Sequence, residues 1–147
     1  MGKAAARAKV IATHRYGVSA EKIYDTLLDV AKARNFMFRT VTGKVVKAEV
    51  DGRVGGGFVF VEKREGGQAE HYGEYVQLER PKVVAFRFSV QKNSPESDMV
   101  TIELKPLKQG TEVVLTHEIK AEYAHLSDRI QEGWDGILDG LGEALRA

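Results

Sequence analysis

From residue 44 to about residue 120 the chain alternates apolar and polar residues between short turns, and nowhere in that stretch is a helical period sustained. A segment written this way makes an antiparallel sheet. Six strands are predicted in it, over residues 45–50, 58–63, 69–78, 83–90, 99–106 and 111–122. The breaks between them are a glycine-rich run over 51–57, a hairpin at Glu65-Gly66-Gly67-Gln68, and turns at Arg80-Pro81-Lys82, residues 93–97 and Lys108-Gln109-Gly110. Connections this short join antiparallel neighbours in a meander. Alternation puts Phe58 and Phe60 on one face with Val84, Phe86 and Phe88, and likewise Val100, Ile102, Leu104, Val113, Leu115, His117 and Ile119. The opposite face carries Arg87, Ser89, Thr101, Glu103, Lys105, Glu112, Thr116 and Glu118, the chemistry of a solvated surface.

An apolar sheet face needs a cover, and residues 126–146 supply it. At 100° per residue Ile130, Trp134, Ile137, Leu138, Leu141 and Leu145 share an arc of about 100°, while Asp128, Glu132, Asp135, Asp139 and Glu143 point away. Ahead of the sheet, residues 9–18 are rich in β-branched and aromatic types and predict a first strand. Ser19 then stands at a helix N-cap, with Val18 and Ile23 placed as a hydrophobic staple, and the helix runs to about Leu28. Asp29 caps a second short helix over 30–35, which leads into Phe36-Met37-Phe38. The expectation is an α+β fold: a curved sheet of six to seven strands curled around a long C-terminal helix, with two short helices after the first strand. At 147 residues, the whole of 1–147 is read as one domain, with 1–7 a frayed tail.

Composition removes several function classes. A net charge of +1 gives no field for a nucleic acid backbone. Without cysteine there is neither a disulfide framework nor a thiolate, which fits a cytoplasmic protein. No segment approaches the roughly 20 apolar residues that span a bilayer, and the basic N-terminus is not followed by the apolar run of a secretory signal. His14, His71, His117 and His125 lie on separate predicted elements at no ligand spacing, so no metal site is expected, and no cofactor. Gly55-Gly56-Gly57 precedes a strand instead of opening a helix, so it reads as a turn and not as a phosphate cradle.

Gly133, Gly136 and Gly140 line one flank of the last helix, where each costs about 0.5–1 kcal/mol relative to alanine. Three causes fit that alignment: close approach of the backbone to another element, a thin wall that leaves room for a ligand, or a helix contact in a homodimer. Against the concave sheet face, the candidate lining of a cavity is Phe36, Phe38, Phe58, Phe60, Phe86 and Phe88, with Trp134, Leu138 and Leu141 from the helix. His117, in phase with Val113 and Leu115, is either a polar anchor or a buried histidine satisfied locally, for instance against Trp134. His71 and Tyr75 share a face with Gly73 and add two further polar candidates.

The segments Ser19-Ala20-Glu21-Lys22-Ile23-Tyr24, Gly56-Gly57-Phe58-Val59-Phe60, Gly73-Glu74-Tyr75, Val84-Ala85-Phe86-Arg87-Phe88, Val100-Thr101-Ile102-Glu103-Leu104, Gly110-Thr111-Glu112-Val113-Val114-Leu115-Thr116-His117 and Gly133-Trp134 follow one another in an order that resembles a known superfamily. It is the START-like (SRPBCC) superfamily, and within it the group similar to the activator of heat shock protein 90 ATPase, in stand-alone form. The resemblance implies the helix-grip fold, with a cavity between sheet and C-terminal helix. It departs at Phe36 and Phe88, where family members usually carry tryptophan. The chain is long enough only for the domain that follows the chaperone-docking part of the eukaryotic activator. Three functions follow as expectations. The first is a non-enzymatic binding protein for a small hydrophobic or amphipathic molecule, monomeric or homodimeric. The second is a stress-related partner of the heat shock protein 90 chaperone, and the third a cyclase or hydrolase using His117 and Tyr75 as acid–base groups.

Overall fold

The computed structural model describes residues 7–40, 42–92, 94 and 96–146. Strand β1 (Arg7–Tyr16) is followed by helices α1 (Ala20–Leu27) and α2 (Val30–Ala33). Then come β2 (Lys44–Val50), β3 (Gly57–Arg64), β4 (Gly67–Glu79), β5 (Val83–Ser89), β6 (Asp98–Leu107) and β7 (Gly110–Lys120). A 3-10 turn, Ala121–Leu126, leads into α3 (Ser127–Arg146). The strands form one seven-stranded antiparallel sheet in the order β1-β7-β6-β5-β4-β3-β2. The meander is thus unbroken from β2 to β7, and β1 adds to its far edge, with Arg7 opposite Lys120 and Tyr16 opposite Thr111. The two short helices carry the chain from one edge to the other.

Local chemistry sets the boundaries. The Ser19 hydroxyl accepts from the Lys22 N–H at 3.2 Å, and the Asp29 carboxylate accepts from the Ala31 N–H at 3.0 Å, so both short helices begin at side-chain caps. Several boundaries differ from the sequence reading. Residues 1–6 of the expected tail lie outside the described residues, and Arg7 already pairs in β1. The second helix is one turn long and ends before Arg34, and β7 stops at Lys120, so Glu122 belongs to the 3-10 turn. Val90 lies beyond β5 and is 61% exposed, because the strand has run off the covered part of the sheet. Register shifts between Val45 and Lys47 and between Tyr75 and Gln77 bend β2 and β4, which helps the sheet curl.

The inner face and α3 share one core in which Ile23, Phe86, Leu115, Ile119, Leu138 and Leu141 are fully buried. Helix α3 lies along β1. The Tyr16 hydroxyl donates to the Leu138 carbonyl at 2.7 Å, and Lys22 Nζ donates to the Leu145 carbonyl at 3.1 Å, placing a cation at the helix C-terminus. Asp135 and Asp139 do not simply face solvent: His14 on β1 brings its ring nitrogens to 3.3 and 3.5 Å of them. Because the helix runs beside β1, the opposite part of the concave face, over β3 to β5, is covered by the Phe36-Met37-Phe38 segment instead. The seam between that segment and α3 is where the site lies.

Candidate functional site

Four aromatic rings meet at the seam. Phe38 stacks on His71 with ring centroids 4.3 Å apart and planes 8° from parallel, and on Phe88 at 5.1 Å and 5°. Trp134 meets Phe38 edge-on at 5.5 Å. Phe38 holds φ at 54°, a left-handed conformation that costs a non-glycine residue roughly 1–3 kcal/mol and persists only where packing overdetermines it. Here the flat stack on two rings does so. Above these rings opens a cleft of about 260 Å³. Ile130, Gly133 and Ile137, one face of the first half of α3, form a wall, and Arg39, Thr40 and Arg64 form the mouth.

The glycines on the flank of α3 have different causes. A Cβ built on Gly140 would fall 2.7 Å from Phe36 Cβ, so this residue is where the helix backbone meets the segment after α2. Cβ atoms on Gly133 and Gly136 would meet nothing within 4 Å. Gly133 borders the cleft, and its missing side chain leaves the wall thin there.

His71 is 8% exposed on β4, and its Nδ1 lies 3.2 Å from the Phe60 carbonyl oxygen. A carbonyl only accepts, so Nδ1 carries the proton and the neutral ring presents a lone pair at Nε2. That atom has no protein partner among the described residues, and His71 lines the cleft. Burial pushes the imidazole below its ordinary pKa, the Phe60 hydrogen bond opposes this, Arg64 pushes further down and Glu62 pulls up. His117 is different. Trp134 Nε1–H, which can only donate, gives its proton to His117 Nδ1 at 3.0 Å, so Nε2 must carry the hydrogen and donates to Asp98 Oδ2 at 2.9 Å. Both ring nitrogens are occupied. Burial lowers this imidazole as well, against the upward pull of Asp98.

Glu62 anchors the mouth. The side chain is 1% exposed, yet its Oε2 accepts from the Thr40 N–H at 2.5 Å and the Thr40 hydroxyl at 3.1 Å, and its Oε1 accepts from Arg64 Nε at 2.5 Å. Burial pushes this carboxyl up, but the hydrogen bonds from Arg64 and Thr40 outweigh it and hold the group below the usual carboxylate range.

Of the residues expected to line a cavity, Phe38, His71, Phe88, His117 and Trp134 come together at the cleft. The others do not. Behind Phe38, Phe58 packs against Phe60 and, edge to face at 4.9 Å, against Phe86. Tyr75 lies against Phe86 deeper along the row, Leu138 and Leu141 fill the solid core, and Phe36 lies under Gly140. The acid–base pairing also lacks its geometry. Tyr75, Phe86, Val100 and His117 lie in one cross-strand row, so Tyr75 and His117 share a face but stand three strand spacings, about 14 Å, apart. Burial further raises the Tyr75 hydroxyl, which makes it a poorer acid. Arg39, Thr40, Glu62 and Arg64 were not among the expected site residues, although Glu62 and Arg64 continue the parity of Phe58 and Phe60 and so carried a sequence signal. Among the described residues no cluster of three metal-ligating side chains occurs, and no helix is long and apolar enough to cross a membrane.

The model of the family described as Activator of Hsp90 ATPase homolog 1-like protein matches residues 17–146. No curated protein sequence matches the chain. Solved structures with the same fold include a Nitrosomonas europaea protein, 19% identical, with a TM-score of 0.81 over 94% of each chain. A Staphylococcus aureus protein of unknown function is 16% identical, with a TM-score of 0.82 over 97% of this chain and 95% of that one. An AHSA1-like protein of Aeromonas hydrophila is 18% identical, with a TM-score of 0.79 over 95% and 92%.

Proposed function

We propose that this chain, which belongs to the family of activator of Hsp90 ATPase homolog 1-like proteins, is a non-enzymatic binding protein for a small hydrophobic or amphipathic molecule. The observation that carries this reading is the cleft beside Gly133: about 260 Å³ of space with an aromatic floor, an aliphatic helix wall and an unpartnered acceptor among the described residues, His71 Nε2. A mostly apolar pocket with few polar groups suits recognition of an apolar body held in one orientation. Its mouth is open, so a ligand would enter between Arg39 and α3. A catalytic role is disfavoured by the two occupied nitrogens of His117 and by its distance from Tyr75.

Trp134 is the chain's one tryptophan and lines the cleft, so its fluorescence reports occupancy. Titration with 1-naphthol, a neutral probe, is expected to change that emission saturably. Gly133→Leu, which places a side chain in the open wall, is expected to abolish the response while the circular dichroism spectrum stays native. Undiminished naphthol binding in the leucine variant would sink this site. A second reading, assistance to a chaperone of the Hsp90 type, is supported by the family description alone. Stimulation of chaperone ATPase activity by the purified chain is its test, and no stimulation rejects it.

A further inference from the structure

We infer that the occupant of the cleft is an amphipathic carboxylic acid, its chain against Phe88, Trp134 and Ile137 and its head group at the mouth among Arg39, Arg64 and His71 Nε2. This rests on the binding reading above and gives the chemical class of the ligand. Two guanidinium groups border the mouth, and no acid lines the cleft among the described residues. Arg64 spends its Nε–H on Glu62, which leaves its terminal N–H groups without a protein partner among the described residues. Arg39 forms no ion pair among them; it stands at the junction of the cleft and the neighbouring groove along Gly136, which Asp139 and Glu143 also line. Glu62 already takes the Nε–H of Arg64 and offsets its charge, so Arg39 carries the unpaired positive charge at the mouth while Arg64 adds its terminal N–H donors. A planar cationic fork beside an apolar wall matches a planar anion at the end of an apolar body.

His71 narrows the class from any anion to an acid. A bare carboxylate would face the lone pair of Nε2 and be repelled. A proton between the two resolves this, whether it sits on the ligand as a carboxyl O–H donating to Nε2, or on the ring as Nε2–H donating to the carboxylate. In both states Nδ1–H continues to donate to the Phe60 carbonyl. Since a carboxyl group with a pKa of about 4 is ionised in neutral solution, the proton comes from solvent and binding takes up one. The charged and titratable groups facing His71 are Glu62 and Arg64 from β3, Arg39 from the loop after α2, and His117 from β7. In the empty cleft burial and, more weakly, Arg64 oppose an imidazolium, while Glu62 favours one. An anion between Arg64 and the ring offsets that opposition. His117 takes no part, because Trp134 and Asp98 hold both its nitrogens.

Decanoate and decanol, which share a chain and differ in the head, separate the possibilities. Each is titrated into the full chain between pH 6 and pH 8, read by Trp134 emission and by calorimetry in buffers of different ionisation enthalpy. Decanoate is expected to bind roughly tenfold or more tighter than decanol at pH 6. Its affinity should fall by up to about tenfold per pH unit as pH rises, with proton uptake seen in the heats. Arg39→Gln should cost decanoate about tenfold and leave decanol unchanged, and His71→Phe should remove the pH dependence. Equal binding of both probes, indifferent to pH and to either substitution, overturns the acid assignment while the cleft remains a binding site. Absence of saturable binding by either probe overturns the binding reading with it.

Discussion

Alanine placed in turn at Gly133, Gly136 and Gly140 is expected to give unequal effects on one flank of one helix. Gly133 and Gly136 are exposed, and a Cβ at either meets nothing within 4 Å, so only the backbone term changes. Alanine restricts the unfolded chain and favours the helix by about 0.5–1 kcal/mol at each position. For a domain of this size that raises the melting temperature by about 1–4 °C per substitution. At Gly140 the same gain is opposed by a Cβ lying 2.7 Å from Phe36 Cβ and 3.5 Å from Phe36 Cα. Carbon atoms sit comfortably at about 3.5–4.0 Å, so α3 or the segment after α2 must move by roughly 1 Å. Phe36 is buried and its Cβ is tied to the backbone, so neither shift is cheap. Overpacking of this kind costs about 1–3 kcal/mol, so the gain is cancelled or turned into a loss of up to about 2.5 kcal/mol. Urea unfolding followed by far-ultraviolet circular dichroism gives all three values on one scale. Stabilisation by Gly140→Ala equal to that of the other two would show that α3 does not dock on Phe36, and destabilisation by Gly133→Ala would show that the wall of the cleft is not open.

Other perturbations test the polar side of the site. Glu62→Gln keeps the volume but leaves one acceptor where two are used, so either the Thr40 or the Arg64 bond is lost, and is expected to lower stability by about 1–3 kcal/mol, read as a shifted urea midpoint. Because the Glu62 carboxyl is held below its ordinary value, its contribution is complete above about pH 4.3 and is lost as pH falls through the folded value; the glutamine variant should show a flatter acid limb. Trp134→Phe leaves His117 Nδ1 without its donor and should cost about 1–3 kcal/mol on the same scale. The lowered His117 imidazole contributes stability that is complete above about pH 6.5 and lost as pH falls through the folded value. A proton on Nδ1 would face the Trp134 N–H, so Trp134 emission should step with acid in the parent chain and not in His117→Phe.

The strands and the helix stripe were legible because burial on one face imposes a period, and a period is visible without neighbours. Phe58, Phe86 and Phe88 carry the same mark of inward phase, yet only Phe88 borders the cleft. What separates them is where α3 and the Phe36-Met37-Phe38 segment leave a seam, and that depends on the helix lying along β1. The edge pairing of β1 with β7 has no local signature. His117 could be placed inward from its phase, but its tautomer is decided by Trp134, which arrives from another element. Arg39 and Thr40 sit in a loop where no period exists to place them. Glu62 was readable, since a carboxylate in phase with Phe58 and Phe60 needs partners, though the sequence does not say that Thr40 and Arg64 provide them.

The pairing of β1 with β7 also bears on how the chain is made. Arg7 finds its neighbour at Lys120 and Tyr16 at Thr111, so the first of the seven strands to be made depends on the last of them. At about 5–20 residues per second the ribosome spends roughly 5–20 s on the intervening stretch. Each hairpin from β2 to β7 can close soon after it emerges, while β1 stays an unpaired strand with its apolar side uncovered. Both missing surfaces, the edge of β7 and the face of α3, are made later than β1, so a factor that shields this protein during synthesis has its substrate at β1.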